Sequence, residues 1–250
     1  MQVIDSIYGV TQIARAGAGR RSVVVTALGM VATAMLLFGA TLGQAYGQQT
    51  EAQPMRFEGY GQAEGLSQNT VLSIVQDSSG FMWFGTENGL NRYDGYAFTA
   101  FRRETMNPGS LTSDFVFDVA EDSNGDLWIA TDGGGLALRR METGNFRVYR
   151  HDPSLAGSLA SNNIRALSMA DDGVLWIGHQ RAGLDRFEID SGRITHFRHH
   201  PTDPASLNSD SVFAVHVDRA GEVWVGTDAG LNRLNPASGR VTNYQHDPSI

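Results

Sequence analysis

The chain contains no cysteine, which excludes a disulfide framework and any thiolate metal site. It also contains no lysine: all 19 basic side chains are arginine, a pattern we ascribe to codon composition rather than to chemistry. Basic charge is in short supply altogether, because 27 acidic groups leave a net charge of −8. That disfavours a general nucleic-acid binder, which needs a basic face. The local signatures of catalysis are missing as well. There is no nucleophile elbow, no P-loop and no HExxH, and no pair of carboxylates stands at a spacing diagnostic of glycoside hydrolysis. No enzyme activity is expected within this segment, and no cofactor.

What is present is a globular composition, 41% hydrophobic and 18% charged, over 250 residues, which is one large domain or two small ones. The N-terminus is separate. Arg15, Arg20 and Arg21 precede the uncharged stretch Ser22–Gly43, and Gly43-Gln44-Ala45 then supplies small residues suited to cleavage. Residues 1–47 therefore read as an extension followed by an export signal. An apolar run of about 20 residues can also span a bilayer, so an uncleaved anchor is the alternative. Either reading puts the remainder outside the cytoplasm.

From residue 55 onward the chain repeats itself. All four tryptophans, Trp83, Trp128, Trp176 and Trp224, recur at spacings of 45, 48 and 48. Three residues before each stands Gly80, Gly125, Gly173 or Gly221, and two after each stands Gly85, Ala130, Gly178 or Gly226. A Gly-Leu pair follows at Gly89, Gly135, Gly183 and Gly230, and Ser-Leu recurs at Ser110, Ser158 and Ser206. Self-similarity at this period marks a propeller or a solenoid. The first copy divides into four strand-like pieces at 69–77, 81–86, 90–94 and 96–101, separated by Asp, Ser and Gly turns. Four short strands in about 45 residues is the size of a propeller blade. The expected fold is therefore all-β, a β-propeller region over 55–250 with four-stranded blades at about 66–103, 111–151, 159–199 and 207–246. The tryptophans are its blade cores, each packing one sheet on the next, and the small residue beyond each leaves room for a ring of the neighbouring blade. The inner strand, apolar on both faces at Val71, Leu72, Ile74 and Val75, suits a position between blades. Residues 55–60 align with the outer strands and are expected to be a spare closing strand. Four blades plus one strand leave apolar faces open, so the ring is expected to continue beyond this sequence.

Several constellations tempt a functional reading. Asp122-Ser-Asn-Gly-Asp126 opens like a calcium loop, but Leu127 stands where glycine is needed and no glutamate closes the loop, so it reads as a hairpin turn. His196, His199 and His200 are clustered, yet His151 and His246 fall at nearly the same repeat position, which reads as architecture rather than as a metal site. Asp171-Asp172-Gly173-Val174-Leu175-Trp176 fits the box of sialidase-like propellers, which is structural and not catalytic. The set of most interest is Asn69, Asp114, Asn162 and Asp210, each 14 residues before its tryptophan. Side chains of this kind bond local backbone at turns and strand caps. On a rigid scaffold they are also candidates for a ligand-binding rim, with neighbours Gln68, Thr70, Phe115, Asn163 and Ser211 differing from copy to copy.

The run from Gly65 to Gly95, GLSQNTVLSIVQDSSGFMWFGTENGLNRYDG, resembles the two-component regulator propeller repeat, and further copies match at 125–131, 173–178 and 221–226. The departures are Ala130 for glycine, His179 for threonine, and Ala170 where Asp77, Asp122 and Asp218 stand, so the third turn is expected to differ. The resemblance implies an extracytoplasmic sensor propeller of a membrane protein whose output is a histidine kinase or a diguanylate cyclase. Its partners would be an extracytoplasmic ligand, a carbohydrate being one candidate, and the membrane, reached through the N-terminal anchor or a later helix. The whole protein would be a candidate homodimer. The competing expectations are an exported propeller enzyme acting on polysaccharide and a protein-docking scaffold.

Overall fold

The computed structural model describes residues 58–246, which belong to one compact unit. The export signal expected at 1–47 and residues 55–57 of the spare strand lie outside the described residues. Glu58–Tyr60, also expected in that strand, are not in a strand, and the Tyr60 ring packs on Tyr93 and Phe98 at centroid distances of 5.3 and 6.2 Å.

Sixteen strands form four antiparallel sheets in chain order. Blade 1 is β1 (Val71–Gln76), β2 (Met82–Thr86), β3 (Gly89–Tyr93) and β4 (Phe98–Phe101). Blade 2 is β5 (Val116–Glu121), β6 (Leu127–Thr131), β7 (Leu136–Arg139) and β8 (Phe146–Tyr149). Blade 3 is β9 (Ile164–Met169), β10 (Val174–His179), β11 (Leu184–Glu188) and β12 (Arg193–Phe197). Blade 4 is β13 (Val212–Val217), β14 (Val223–Thr227), β15 (Gly230–Leu234) and β16 (Val241–Tyr244). Each inner strand packs against the inner strand of the next blade, β1 on β5, β5 on β9 and β9 on β13. Among the described residues no helix is long and apolar enough to cross a membrane.

The turn chemistry explains the hairpins. Between β1 and β2, Gly80 takes φ 91°, which a side chain disfavours, while the Asp77 carboxylate accepts from the Ser79 and Phe81 N–H groups. The same aspartate reaches the Trp83 indole N–H with its other oxygen at 2.7 Å. Asp122 does this for Trp128 at 3.0 Å and Asp218 for Trp224 at 2.9 Å. Turn and core are thus one unit, a link the sequence pattern does not reveal.

Three apolar cores lie between the blades. Trp83 and Leu90 meet Leu111, Val116, Val119, Leu127 and Ile129 of blade 2. Trp128 meets Leu159, Ile164, Leu175 and Phe187 of blade 3. Trp176 meets Leu207, Val212, Val223 and Val225 of blade 4. Trp83, Trp128 and Trp176 are fully buried, whereas Trp224 is half-buried and stacks on Tyr244. The small residue after Trp83 and after Trp176 makes room for a valine of the next blade, not for the ring expected there. A Cβ on Gly85 would lie 2.9 Å from Val116 Cγ1, and one on Gly178 would lie 2.6 Å from Val212 Cγ1. The first inner strand is not apolar-buried on both faces as expected. Leu72 is 40% and Ile74 59% exposed, because no preceding blade covers that face among the described residues.

Candidate functional site

The four rim residues stand at the start of the inner strands, at the blade end that carries the β2–β3 type of turn. Three of them buckle one blade to the next. Asp114, Asn162 and Asp210 accept the backbone N–H of Arg103, His151 and His199 through Oδ1, at 2.6, 2.8 and 2.7 Å. Their backbone carbonyls accept from Gly89, Gly135 and Gly183 at 2.6, 3.0 and 2.9 Å. Asn69, which follows no described blade, instead accepts from Gln62 N–H in a short 3-10 turn. The oxygens that drew attention in the sequence are thereby committed to backbone, as capping chemistry requires.

Beside each buckle the inner strand carries a register shift. Pairing skips Leu72, Phe117, Arg165 and Phe213, one equivalent residue per blade. Such bulges re-aim a side chain out of the ladder. The Arg165 guanidinium lies 5.2 Å from the Phe117 ring and 4.6 Å from the Phe213 ring, so it stacks on the skipped residues of both neighbouring blades. Phe213 is 51% exposed, and the Phe115 ring lies 4.6 Å from Phe117. This row of Leu72, Phe115, Phe117, Arg165 and Phe213 is a mixed apolar and cationic surface that sequence reasoning missed. The signal was available only at Phe115, within the set of variable neighbours.

At the opposite blade end, two open clefts lie between blades. One of about 540 Å³ between blades 3 and 4 is walled by Asp171, Asp172, Trp176, Arg186, Asp218 and Glu222. Another of about 710 Å³ between blades 2 and 3 is walled by Asn124, Asp171, Asp172 and Asp190. At the junction of blades 1 and 2 the Glu121 carboxylate reaches across to the facing turn and accepts from Ser78 N–H at 2.9 Å.

The calcium-like loop is occupied by its own chain. Asp122 binds the Asn124 and Asp126 N–H groups, and Asp126 binds Arg140 and the Met141 N–H. The clustered histidines are spread over different tasks. His151 and His199 each bond the carbonyl of the buried leucine eight residues on, at 2.6 and 2.7 Å. His196 instead joins Asp185 and His179 in a buried group. Among the described residues no set of three His, Asp or Glu side chains is arranged to hold a metal ion.

A carboxylate between blades 2 and 3 is perturbed upward. Asp118 on β5 accepts from Val119 N–H and from Leu167 N–H of the next blade, both at 2.8 Å. Burial pushes its carboxyl up to about 6 against the pull of these two donors.

Residues 65–88, 110–133, 158–181 and 206–229 match the two component regulator propeller family. Each match covers the two inner strands of one blade. The fold resembles the extracellular domain of a protein described as a hybrid two component system from B. thetaiotaomicron, with TM-score 0.68 and 32% identity over 76% of this chain and 26% of that one. It also resembles the extracellular domain of a protein from the same organism described as a one component system, with TM-score 0.60 and 23% identity over 72% of this chain and 25% of that one, a likeness of fold alone. A 57-residue stretch is 42% identical to Histidine kinase P4 of Formosa agariphila, covering 23% of this chain and 4% of the kinase. The chain thus spans a small part of the relatives it matches. Four blades, each carrying the repeat in its two inner strands, make this chain a member of the two component regulator propeller family.

Proposed function

We propose that the chain is the extracytoplasmic recognition region of a membrane-bound signalling protein. A ligand binds the propeller, and the change passes to a cytoplasmic kinase or cyclase elsewhere in the protein. Within these blades the task is recognition, with no bond made or broken. The observation that carries this reading is the repeat match in all four blades, together with 32% identity to an extracellular domain of a two component system. Export through the N-terminal apolar stretch accords with it, as does its retention as a membrane anchor.

The recognition surface we propose is the rim at the start of the inner strands. Asn69, Asp114, Asn162 and Asp210 shape it by fixing the backbone, and Thr70, Phe115, Asn163, Ser211, Arg165 and Phe213 present the side chains that differ between blades. A mixed apolar, cationic and amide surface on a rigid scaffold suits a polyhydroxylated ligand with an apolar face, such as an oligosaccharide.

Thermal unfolding of the purified chain against a panel of soluble oligosaccharides tests the proposal. A rise in Tm with one chemical class, lost in Phe213→Ala while the unliganded Tm is kept, is the expected result. Release of shortened products by the same chain would establish the enzyme reading instead. Retention of a protein in a pull-down, with no small-molecule shift, would establish the docking scaffold.

A further inference from the structure

In blade 4 the buried end of the second and third strands is closed by uncharged groups. Thr227 and Asn232 bond Asn208, and Asn243 on the outer strand donates to the carbonyls of Pro204 and Ser206, both at 3.1 Å. Blade 1 closes with Ser67, Thr86 and Asn91. Blade 3 builds the same closure from ionisable groups. His179 stands where Thr86 and Thr227 stand, Asp185 where Asn91 and Asn232 stand, and His196 where Asn243 stands. His179 Nε2 lies 2.8 Å from Asp185 Oδ2, which also accepts the Ala160 N–H at 2.8 Å. His196 Nδ1 lies 2.6 Å from Asp185 Oδ1, and its Nε2 lies 3.1 Å from the carbonyl oxygen of Ala156. Ala156 and Pro204 are the same position of successive connections, 48 residues apart.

Both ring nitrogens of His196 therefore face acceptors, one a carboxylate and one a carbonyl. A neutral imidazole has one N–H and satisfies one of them, whereas the imidazolium satisfies both. His179 differs, because its Nδ1 is buried without a partner, which suits the neutral tautomer protonated on Nε2. Burial opposes ionisation of Asp185. The hydrogen bonds from His179, His196 and Ala160 act against it, and the carboxyl is held below the usual carboxylate range.

We propose that His196 is a pH-operated clasp on the connection between blades 2 and 3. Protonated, it ties Ala156 to Asp185 and keeps the connection on the edge of blade 3. Deprotonated, it turns a lone pair toward the Ala156 carbonyl and lets the connection go. The ionisable groups it meets are Asp185 from β11 directly and His179 from β10 through Asp185, while the connection it holds carries His151 and Asp152. His151 has a counterpart in His199, bonded in the same way in the next connection, so its contribution is common to both. The amide clasp of Asn243 carries no titrating group, and blade 4 serves as an internal control once His200, which bonds Thr202 there and has Asp152 as its counterpart, is substituted, His200→Asp, in both proteins compared.

Hydrogen exchange of the whole chain, with His200→Asp throughout, tests the clasp. The readout is the protection of residues 152–160 divided by that of residues 200–208, which cancels the intrinsic effect of pH. Across about pH 5 to about pH 8, where imidazoles titrate, the ratio with His196 in place should fall about fivefold, the worth of one lost hydrogen bond. His196→Asn, which rebuilds the blade 4 arrangement, should hold the ratio constant. A constant ratio with His196 in place, or a fall that persists in the His196→Asn variant, overturns the proposal. A second readout needs no change at His196. The Gly157 amide resonance, which reports on the Ala156 carbonyl, should shift with pH while that of Ala205 stays still, and equal shifts at both would equally sink the clasp.

Discussion

At the scale of single residues, one aspartate does two jobs in three of the four blades. Asp77, Asp122 and Asp218 close the hairpin turn with one oxygen and satisfy the indole N–H with the other. Blade 3 has Ala170 at this position, and Trp176 borders the open cleft there. Ala170→Asp should therefore stabilise the protein by about 1 kcal/mol, the net worth of an added hydrogen bond, read as a rise in denaturation midpoint. Asp122→Ala should cost roughly 2 kcal/mol, because it leaves a buried N–H without a partner. An unchanged midpoint in both variants would show that turn and indole are held independently. The missing aspartate was legible in the sequence as a gap in the repeat. Its second role was not, since nothing in a one-dimensional pattern says which oxygen points at a ring six residues away.

At the scale of strands and turns, the Gly-Leu pairs have a backbone reason. Gly135 has φ 81°, and a Cβ there would lie 2.3 Å from the carbonyl oxygen of Tyr149, the last residue of the outer strand. Gly135→Ala must displace backbone rather than a side chain, and a loss of roughly 3 kcal/mol is expected in urea unfolding. Asp118 couples β5 to β9. Its carboxyl is pushed up to about 6, above an unfolded value of about 4, so the fold favours the protonated form. That contribution is present below the unfolded value and is lost as pH rises through about 6. Asp118→Asn should then gain on wild type by on the order of 2 kcal/mol between about pH 4 and about pH 7, and a pH-independent difference between the two proteins would contradict this assignment. The strands themselves were readable from β-branched and aromatic runs, and the observed bounds fall within a few residues of the expected ones. The buckles by Asp114, Asn162 and Asp210 were half readable. Their recurrence was plain, but their partners lie 11 residues upstream in another blade, a contact that period alone does not disclose.

At the scale of the whole molecule, stability is a sum of blade and junction contributions, as in other repeat architectures. Trp128 lies between two blades and is fully buried, whereas Trp224 faces no further blade among the described residues and is half-buried. Trp128→Ala should cost roughly 3–5 kcal/mol and Trp224→Ala about half as much, measured by chemical denaturation of the same chain. Equal losses would mean that blade 4 is covered in solution. The bulges have a different consequence at this scale. Since the ladder passes over Leu72, Phe117, Arg165 and Phe213, exchanging any of them leaves every strand in step with its partner. In the recognition role proposed above, drift in specificity at the exposed Leu72 and Phe213 would be uncoupled from drift in strand pairing, and could accumulate one petal at a time on an unaltered frame.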